Sequence, residues 1–379
     1  MKTSLLKLIV PLILMLGLTG CWNSSDIQNM AYATTIGMDY DKGKYIAYVQ
    51  VLNFSNIAKV ESLEIGKPLA SWIGKGEGRT VSEALESTMR SSQLRIFWGH
   101  VKTVIVTENV MKNGIDYIYE AFNRYREVRY TVTFYGTRED IPTLLAQKSL
   151  LNFSPLDSLL AIPKQGYRLN AVIPAIQGFQ FIAYTNEPGN STLLPSLSLD
   201  RSVWKEDTQQ KSMFVIDGAF AFNEDRYVAR LSRQELTGIR WIVGKKKVSS
   251  IHVPNNAHPW ASLLLKRKEI AITPLIQSGT VRYRIRLKLA AEIIELRKDK
   301  HIKEVRNEAE QAIRNEIMET YRNGISKKCD VYRLSQVLYQ QHPKLWRREY
   351  ADKSFPLHEQ SLDVEVNVDI RSSGKYKMK

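Results

Sequence analysis

The 379-residue sequence predicts an α+β fold of mixed, largely antiparallel sheets packed with helices. Stretches patterned as strands and as helices are segregated along the chain, and this segregation is typical of α+β proteins. Two alternating stretches near the C-terminus, 280–294 and 362–370, predict strands with one apolar and one charged face. Apolar residues recur every three or four positions over 302–325, which predicts a long amphipathic helix between those strands.

The first 21 residues have the features of an exported lipoprotein. Lys2 and Lys7 supply positive charge before an apolar run, 8–16. This run is far shorter than the roughly 20 residues that a membrane-spanning helix needs. The run ends in Leu-Thr-Gly-Cys at 18–21, which resembles a bacterial lipobox. This resemblance implies cleavage before Cys21 and lipidation of its thiol, so residues 1–20 are predicted to be a lipoprotein signal peptide. An ordinary signal peptide with a chance cysteine and an uncleaved anchor helix remain alternatives.

The composition indicates a globular body with an anionic partner. Hydrophobic residues make up 44% of the chain, enough for a sizeable core, and the length favours two to three domains. With Cys21 acylated, Cys329 has no intrachain partner, so the fold is not held by disulfides. The net charge of +15 favours anionic lipid head groups beside the tether, since the sequence contains no nucleic-acid motif. A solvated basic surface without a specific partner is the alternative.

The region 21–205 is predicted to form a first α/β unit, in which two subdomains are an option. Apolar runs at 33–38 and 45–52 flank turn residues and predict a hairpin. Thr80 and Glu83 form a capping-box pattern that starts a helix. The further predictions are strands at 100–107 and 128–135, helices at 115–122 and 139–146, and irregular packed structure over 152–195.

The region 211–374 is predicted to form a C-terminal α+β domain. Its predicted elements are a hairpin of 213–222 with 226–231, a helix at 233–243, strands at 262–273 and 280–294, helices at 302–325 and 331–341, and a strand at 362–370. The charged faces of the 280s and 360s strands have opposite signs, with Arg284 and Arg286 in one and Asp363 and Glu365 in the other. We therefore expect the two strands to share a sheet, with their charged faces on one side and the long helix under their apolar faces. The alternative is a basic face directed at anionic lipid or a partner subunit.

Searches for catalytic and metal-binding motifs are negative. None of the six histidines has the H-E-x-x-H spacing, and there is no G-x-S-x-G elbow. The glycine-rich stretch 74–80 fits neither the P-loop nor the dinucleotide pattern, and a loop before the capped helix explains it. The sequence therefore predicts no catalytic residue, no metal ligand and no cofactor.

Several short segments, in order, resemble the Ger(x)C family of spore germination lipoproteins. The segments of the first half are Gly20-Cys21-Trp22-Asn23, 36–39, Gly99-His100-Val101-Lys102, Glu108, Gly114-Ile115 and 124–129. Those of the second half are 217–222, 231–238, Cys329-Asp330 and 342–346. The chain departs from the family at Val331-Tyr332-Arg333, where a turn containing Phe and Gly is usual.

The resemblance implies an elongated, non-enzymatic subunit, lipid-anchored at Cys21 on the outer face of the spore inner membrane. Its implied partners are the integral-membrane A and B subunits of a nutrient germinant receptor. For the family positions above, structural roles are favoured over partner contacts. A solute-binding lipoprotein of a transport system and a tethered surface enzyme remain alternatives.

Overall fold

The structure is a computed structural model that describes residues 30–52, 71–124, 127–150, 158–161, 173–243, 248–254, 258–277, 280–297, 301–349 and 355–372. These residues form two sheets with helices packed against them, which confirms the predicted α+β class. The predicted signal peptide and Cys21 lie outside the described residues.

The first sheet contains the strands up to residue 232. They are β1 (Met30–Asp41), β2 (Lys44–Leu52), β3 (Ser71–Gly78), β4 (Arg95–Phe97), β5 (Thr103–Thr107), β6 (Thr133–Thr137), β7 (Ile176–Gln177), β8 (Ser191–Glu206), β9 (Gln209–Asn223) and β10 (Arg226–Ser232). Their order is β10-β9-β8-β6-β5-β1-β2-β3, with β4 beside β1 and β7 beside β6. The central strands β1, β5, β6 and β8 are parallel, whereas hairpins flank them on both sides. The predicted hairpin of β1 and β2 is confirmed.

The second sheet has the order β11-β12-β13-β14. Its strands are β11 (Val248–Val253), β12 (Ala261–Gln277), β13 (Thr280–Leu296) and β14 (Leu362–Ser372). β11, β12 and β13 are antiparallel neighbours, but β14 runs parallel to β13. A parallel neighbour requires a crossover connection, and here the crossover contains the long helix.

The helices of the described part are short except for one. They are α1 (Val81–Met89), α2 (Glu108–Asn113), α3 (Asp116–Arg124), α4 (Ile141–Leu145), α5 (Gly178–Thr185), α6 (Ile239–Ile242), α7 (Ile302–Ser326), α8 (Leu334–Gln341) and α9 (Pro343–Glu349). Helix α7 confirms the prediction of a long amphipathic helix, and its buried face includes Val305, Ala309, Ile313 and Ile317. Thr80 caps α1 by accepting a hydrogen bond from the backbone N–H of Glu83 at 3.1 Å, as predicted.

Three predictions about local structure were wrong. Residues 178–185 form α5 and β8 starts at Ser191, although 152–195 was predicted to be irregular. The helix predicted at 233–243 is only the single turn of α6, because Ser232 and Glu235 close a capped turn before it. The glycine-rich stretch 74–80 was predicted to be a loop, but its residues up to Gly78 belong to β3. Helix α9, for which no prediction was made, starts at Pro343, whose φ suits a helix start.

Side chains of α7 cover the outer edge of β14. The Arg314 Nε donates a hydrogen bond to the Val364 carbonyl oxygen at 3.3 Å. The backbone N–H of Val368 donates to the Glu310 carboxylate at 2.9 Å. Two backbone groups of this edge strand therefore have side-chain partners from the helix that crosses it.

The hairpin of β8 and β9 turns at residues 206–209, and both strands belong to the first sheet. The predicted C-terminal region, 211–374, includes most of β9 and all of β10, which both belong to the first sheet. Ala219, Ala221 and Leu231 of these strands pack in one hydrophobic cluster with the second sheet and α7. The division into 21–205 and 211–374 stays a prediction.

Candidate functional site

Two of the segments that resemble the family, 231–238 and Cys329-Asp330, lie where the two sheets meet. We call this region the sheet junction and define it by residues 230–241, the part of α7 from Glu316 to Thr320, and residues 327–335. Ser232 follows β10 and forms a reciprocal cap with Glu235. The Ser232 N–H donates to the Glu235 carboxylate at 2.7 Å, and the Glu235 N–H donates to the Ser232 Oγ at 3.3 Å.

Gly238 allows the close approach of this capped turn to α7. Its N–H donates to the Thr320 Oγ1 at 2.9 Å. A Cβ at this position would lie 2.7 Å from the Glu316 carbonyl carbon and 2.8 Å from the Ile317 Cα. Both neighbours are helix backbone, which cannot move aside as a flexible side chain can. We call the first sheet with its helices the first lobe, and the second sheet with α7, α8 and α9 the second lobe. The glycine therefore sets the spacing between the turn that follows the first sheet and the helix α7 of the second lobe.

A buried carboxylate lies beside this contact. The Arg240 Nη2 is 2.7 Å from the Glu316 Oε1, and the Trp241 indole N–H donates to the Glu316 Oε2 at 2.7 Å. The Glu316 side chain is 8% exposed and the Arg240 side chain 20%. The Arg240 guanidinium carbon also lies 4.8 Å from the Trp241 ring centroid. Within the junction, Arg240 therefore balances the charge of Glu316, and both carboxylate oxygens of Glu316 accept hydrogen bonds.

Lys327 joins the end of α7 to the capped turn. Its ammonium group donates to the Arg230 carbonyl oxygen at 2.9 Å and contacts the Glu235 carboxylate. Burial by itself would raise the pKa of Glu235. Hydrogen bonds from Lys327 and Ser232 outweigh that effect and lower the pKa to about 2.

The Cys329-Asp330 pair lies buried in the turn after α7. The Asp330 Oδ2 accepts a hydrogen bond from the Ser335 N–H at 2.7 Å. Burial raises the pKa of both the Cys329 thiol and the Asp330 carboxyl. Since the reactive form of cysteine is the thiolate, this thiol is not an activated nucleophile.

The departure from the family at 331–333 coincides with a left-handed residue. Arg333 has a φ of 56°, which a glycine would adopt without strain. Its guanidinium carbon lies 4.3 Å from the ring centroid of Tyr184, which follows the first sheet's β7 in α5. The arginine side chain therefore makes a contact between lobes that glycine could not make.

The segment 342–346 packs against the first lobe through Trp346. Gly189 has a φ of +70°, and a Cβ there would lie 2.9 Å from the Trp346 Nε1. The Tyr339 ring packs edge-on against Trp346, with a centroid distance of 5.2 Å. Trp346 is 8% exposed, which agrees with the favoured structural role for this position.

The family positions in the first lobe are also built into the fold. The His100 ring packs edge-on against Tyr32 at 5.1 Å. The Glu108 carboxylate contacts Arg138 and Lys112 and accepts from the Tyr227 hydroxyl at 2.8 Å. The hydrogen bond from Arg138 is the main reason that the pKa of Glu108 is lowered to about 2.

No catalytic arrangement is formed by these groups. Within the described ranges, no three His, Cys, Asp or Glu side chains are grouped so that they could hold a metal ion. Among those residues, none of the helices is long and apolar enough to cross a membrane. Two open clefts of about 460 and 300 Å³ lie near Tyr45 and Trp260. The junction is suited to packing and ion pairing between lobes rather than to bond-making chemistry.

Sequence reasoning missed Glu316 and Arg240. The available signal was position: Glu316 falls on the buried face of α7, between Ile313 and Thr320. A single acidic residue on such an apolar face requires a partner, because an unpaired buried charge is costly. The partner itself, Arg240, is 76 residues away and had no local signature.

The fold and the junction define a two-sheet α+β protein whose two sheets are joined by a buried ion pair and a close glycine contact. Residues 23–199 match the family described as "Spore germination protein N-terminal domain". Residues 217–374 match "Spore germination B3/ GerAC like, C-terminal". The chain belongs to this Ger(x)C family of spore germination proteins, and the resemblance found in the sequence is confirmed.

Two curated relatives and one solved structure are similar to this chain over most of its length. The chain is 22% identical to spore germination protein KC of Bacillus subtilis (strain 168), covering 94% of this chain and 93% of that protein. It is 23% identical to spore germination protein B3 of the same organism, covering 76% and 74%. The crystal structure of the GerBC protein has a TM-score of 0.54 at 15% identity, covering 91% of this chain and 99% of that chain. This last likeness supports the fold.

Proposed function

We propose that this chain is the lipid-anchored C subunit of a nutrient germinant receptor of spores. It assembles with integral-membrane A and B subunits and is needed for the receptor to trigger germination. The observation that carries this proposal is the match to spore germination families over both halves of the chain, together with the lipobox that ends at Cys21. The described body supports it, because family positions such as Gly238 and Trp346 lie in contacts between the two lobes.

The proposed location is the outer face of the spore inner membrane, with the acylated Cys21 as the anchor. Several acyl chains, at about 0.8 kcal/mol for each buried CH₂, would hold the body on the membrane. The subunit has no enzymatic activity and no cofactor in this proposal.

Mass spectrometry of the mature N-terminus and a Cys21→Ala variant test the anchor. We expect wild type to begin at an acylated Cys21, and the variant to remain an uncleaved precursor with reduced germination. A mature chain that begins elsewhere would contradict the anchor. Co-purification of multi-span subunits with the tagged chain tests the assembly, and recovery of an ATPase and a permease in their place would favour a transport lipoprotein.

A further inference from the structure

We infer that one end of the first sheet is a docking surface for an anionic lipid bilayer. We call it the tether end and define it by eight exposed side chains: Trp72, Leu94, Tyr130, Phe179, Arg90, Arg95, Lys102 and Arg129. The inference rests on the proposed anchoring through Cys21 and assigns the face that the anchor brings to the membrane.

The tether end surrounds the start of β1. Met30, the first residue of β1, pairs with Arg95 of β4. On the other side of β1, Tyr32 pairs with Leu52, and Leu52 pairs with Ser71, the residue before Trp72. Trp72 and Arg95 therefore lie on the two sides of the point at which the chain enters the sheet.

The other tether-end residues follow along the same end of the sheet. Strands β5 and β6 run parallel to β1, so all three start at this end. The Thr133 N–H donates to the Lys102 carbonyl oxygen at 2.8 Å, which places Lys102 beside the start of β6. The Phe179 N–H donates to the Tyr130 carbonyl oxygen at 3.1 Å, so these two rings belong to adjacent segments.

Arg95 is paired with an acidic neighbour, whereas Lys102 and Arg129 both lie near one histidine ring. The Arg95 side chain lies 3.2 Å from Glu127, whose carboxylate also accepts from the Trp98 N–H at 3.1 Å. Burial lowers the pKa of His100, and the positive charges of Lys102 and Arg129 lower it further. Both charges therefore act on the same ring, close to the start of β1.

The chemistry of this surface suits a membrane interface. Trp72 is 73% exposed and Tyr130 is 70% exposed, although burial is the usual state of such large rings. Tryptophan and tyrosine are enriched where a bilayer meets water, and Arg and Lys beside them attract anionic head groups. Cys21 lies nine positions before Met30, and at about 3.5 Å per position this stretch of chain spans at most about 30 Å. The anchor thus keeps the tether end within reach of the lipid surface.

A chemically tethered chain tests this inference independently of acylation. The mature chain, residues 21–379, is coupled through the Cys21 thiol to a maleimide lipid, while the buried Cys329 stays unmodified. The vesicles contain phosphatidylcholine with or without phosphatidylglycerol, plus a brominated lipid that quenches tryptophan in the interface. A Trp22→Phe background removes the tryptophan that adjoins the tether in the sequence.

We expect quenching in vesicles that contain phosphatidylglycerol. Trp72→Phe should reduce the quenched fraction about twofold or more, since Trp72 is placed in the lipid interface. Trp204→Phe is the matched control, because Trp204 is the other exposed tryptophan of the described part and lies in the β8–β9 hairpin. Arg95→Glu with Arg129→Glu should reduce quenching, whereas Lys266→Glu with Lys268→Glu on β12 should not.

Three results would overturn the inference: no quenching in any vesicle, equal losses from Trp72→Phe and Trp204→Phe, or quenching that ignores phosphatidylglycerol. Quenching that is lost when the integral subunits are included in the vesicles would assign the tether end to a protein partner instead. None of these results depends on whether Cys21 is acylated in the cell, which the mass spectrometry above decides.

Discussion

Arg284 and Asp363 lie side by side on β13 and β14, with the Arg284 Nε 2.8 Å from the Asp363 Oδ2. The same Nε lies 3.1 Å from Glu365, and the Arg286 Nε lies 2.9 Å from Glu365. The apolar faces of both strands pack in one cluster with α7. The prediction that the two strands share a sheet with their charged faces together is confirmed.

We expect the charge pairs between β13 and β14 to add little to the free energy of unfolding. We also expect the pairing to require opposite charges on the two strands. Arg284→Asp should destabilise the chain, since it places two carboxylates next to each other. The exchange Arg284→Asp with Asp363→Arg should recover part of the lost stability, as for other cross-strand pairs of opposite charge. Urea unfolding of the four chains of the cycle measures the coupling, and additive effects of the two substitutions would contradict it.

Loss of the Glu316 carboxylate should be far more damaging. Glu316→Ala leaves Arg240 without its partner and the Trp241 indole N–H without its acceptor, and we expect a loss of about 3 kcal/mol in the free energy of unfolding. Arg240→Met combined with Glu316→Leu should recover part of that loss, because the uncompensated charge is gone. If the double variant loses more free energy of unfolding than Arg240→Met and Glu316→Leu lose when their separate losses are added, the result would argue against a buried ion pair.

Gly238→Ala should separate the lobes. The added Cβ meets helix backbone at 2.7 Å, so we expect a loss of roughly 2 kcal/mol or more in stability. Gly74→Ala is the matched control, since the nearest atoms to a Cβ there lie at 3.9 Å, an ordinary contact distance. Thermal unfolding of the two variants compares them, and equal effects would show that backbone contact at Gly238 is not the cause.

Acid should weaken the fold through Glu108. Its pKa is lowered from the ordinary value of 4.5 to about 2, mainly by the hydrogen bond from Arg138. The folded state thus binds this proton less readily than the unfolded state, so the stabilisation is complete above pH 4.5 and disappears as the pH falls toward 2. We expect about 1–3 kcal/mol from this group, after allowance for solvent screening. Glu108→Gln should flatten the stability profile over that range, and an unchanged slope would exclude Glu108 as its source.

The Cys329 thiol should be unreactive in the folded chain. It is 1% exposed, so reagents cannot reach the sulfur from solvent, and burial raises its pKa, so little of the reactive thiolate is present. A thiol reagent added to a Cys21→Ser chain should react only at the rate of unfolding, and quickly in urea. Rapid modification of the native chain would show that the turn after α7 opens.

The sequence predicted those features that repeat locally. Polar and apolar residues alternate over several residue pairs around Arg284 and Asp363. The helical spacing from Val305 to Ile317 extends over several turns. These patterns identified β13 and β14 of the second sheet, the helix that covers them and even the side-chain pairing, whereas β11 was not predicted. The Thr80 cap was equally predictable, because its capping-box pattern lies within four consecutive residues, 80–83.

Relations between distant segments were not predictable in this way. Glu316 and Arg240 pair across 76 positions, and Gly238 reads as an ordinary turn glycine until α7 is placed beside it. The parallel pairing of β14 with β13 follows from where α7 packs, not from the alternation in either strand. Cys21 lies outside the described residues, so its lipidation stays a prediction.

The covered edge of β14 has a consequence for crowding on a membrane. An edge strand with free N–H and C=O groups is a template on which a second copy can add a strand. Arg314 and Glu310 occupy two of those groups at Val364 and Val368. In the proposed anchored state, many identical chains would meet along this edge with these two groups already occupied, and a subunit that binds at them must recognise side chains.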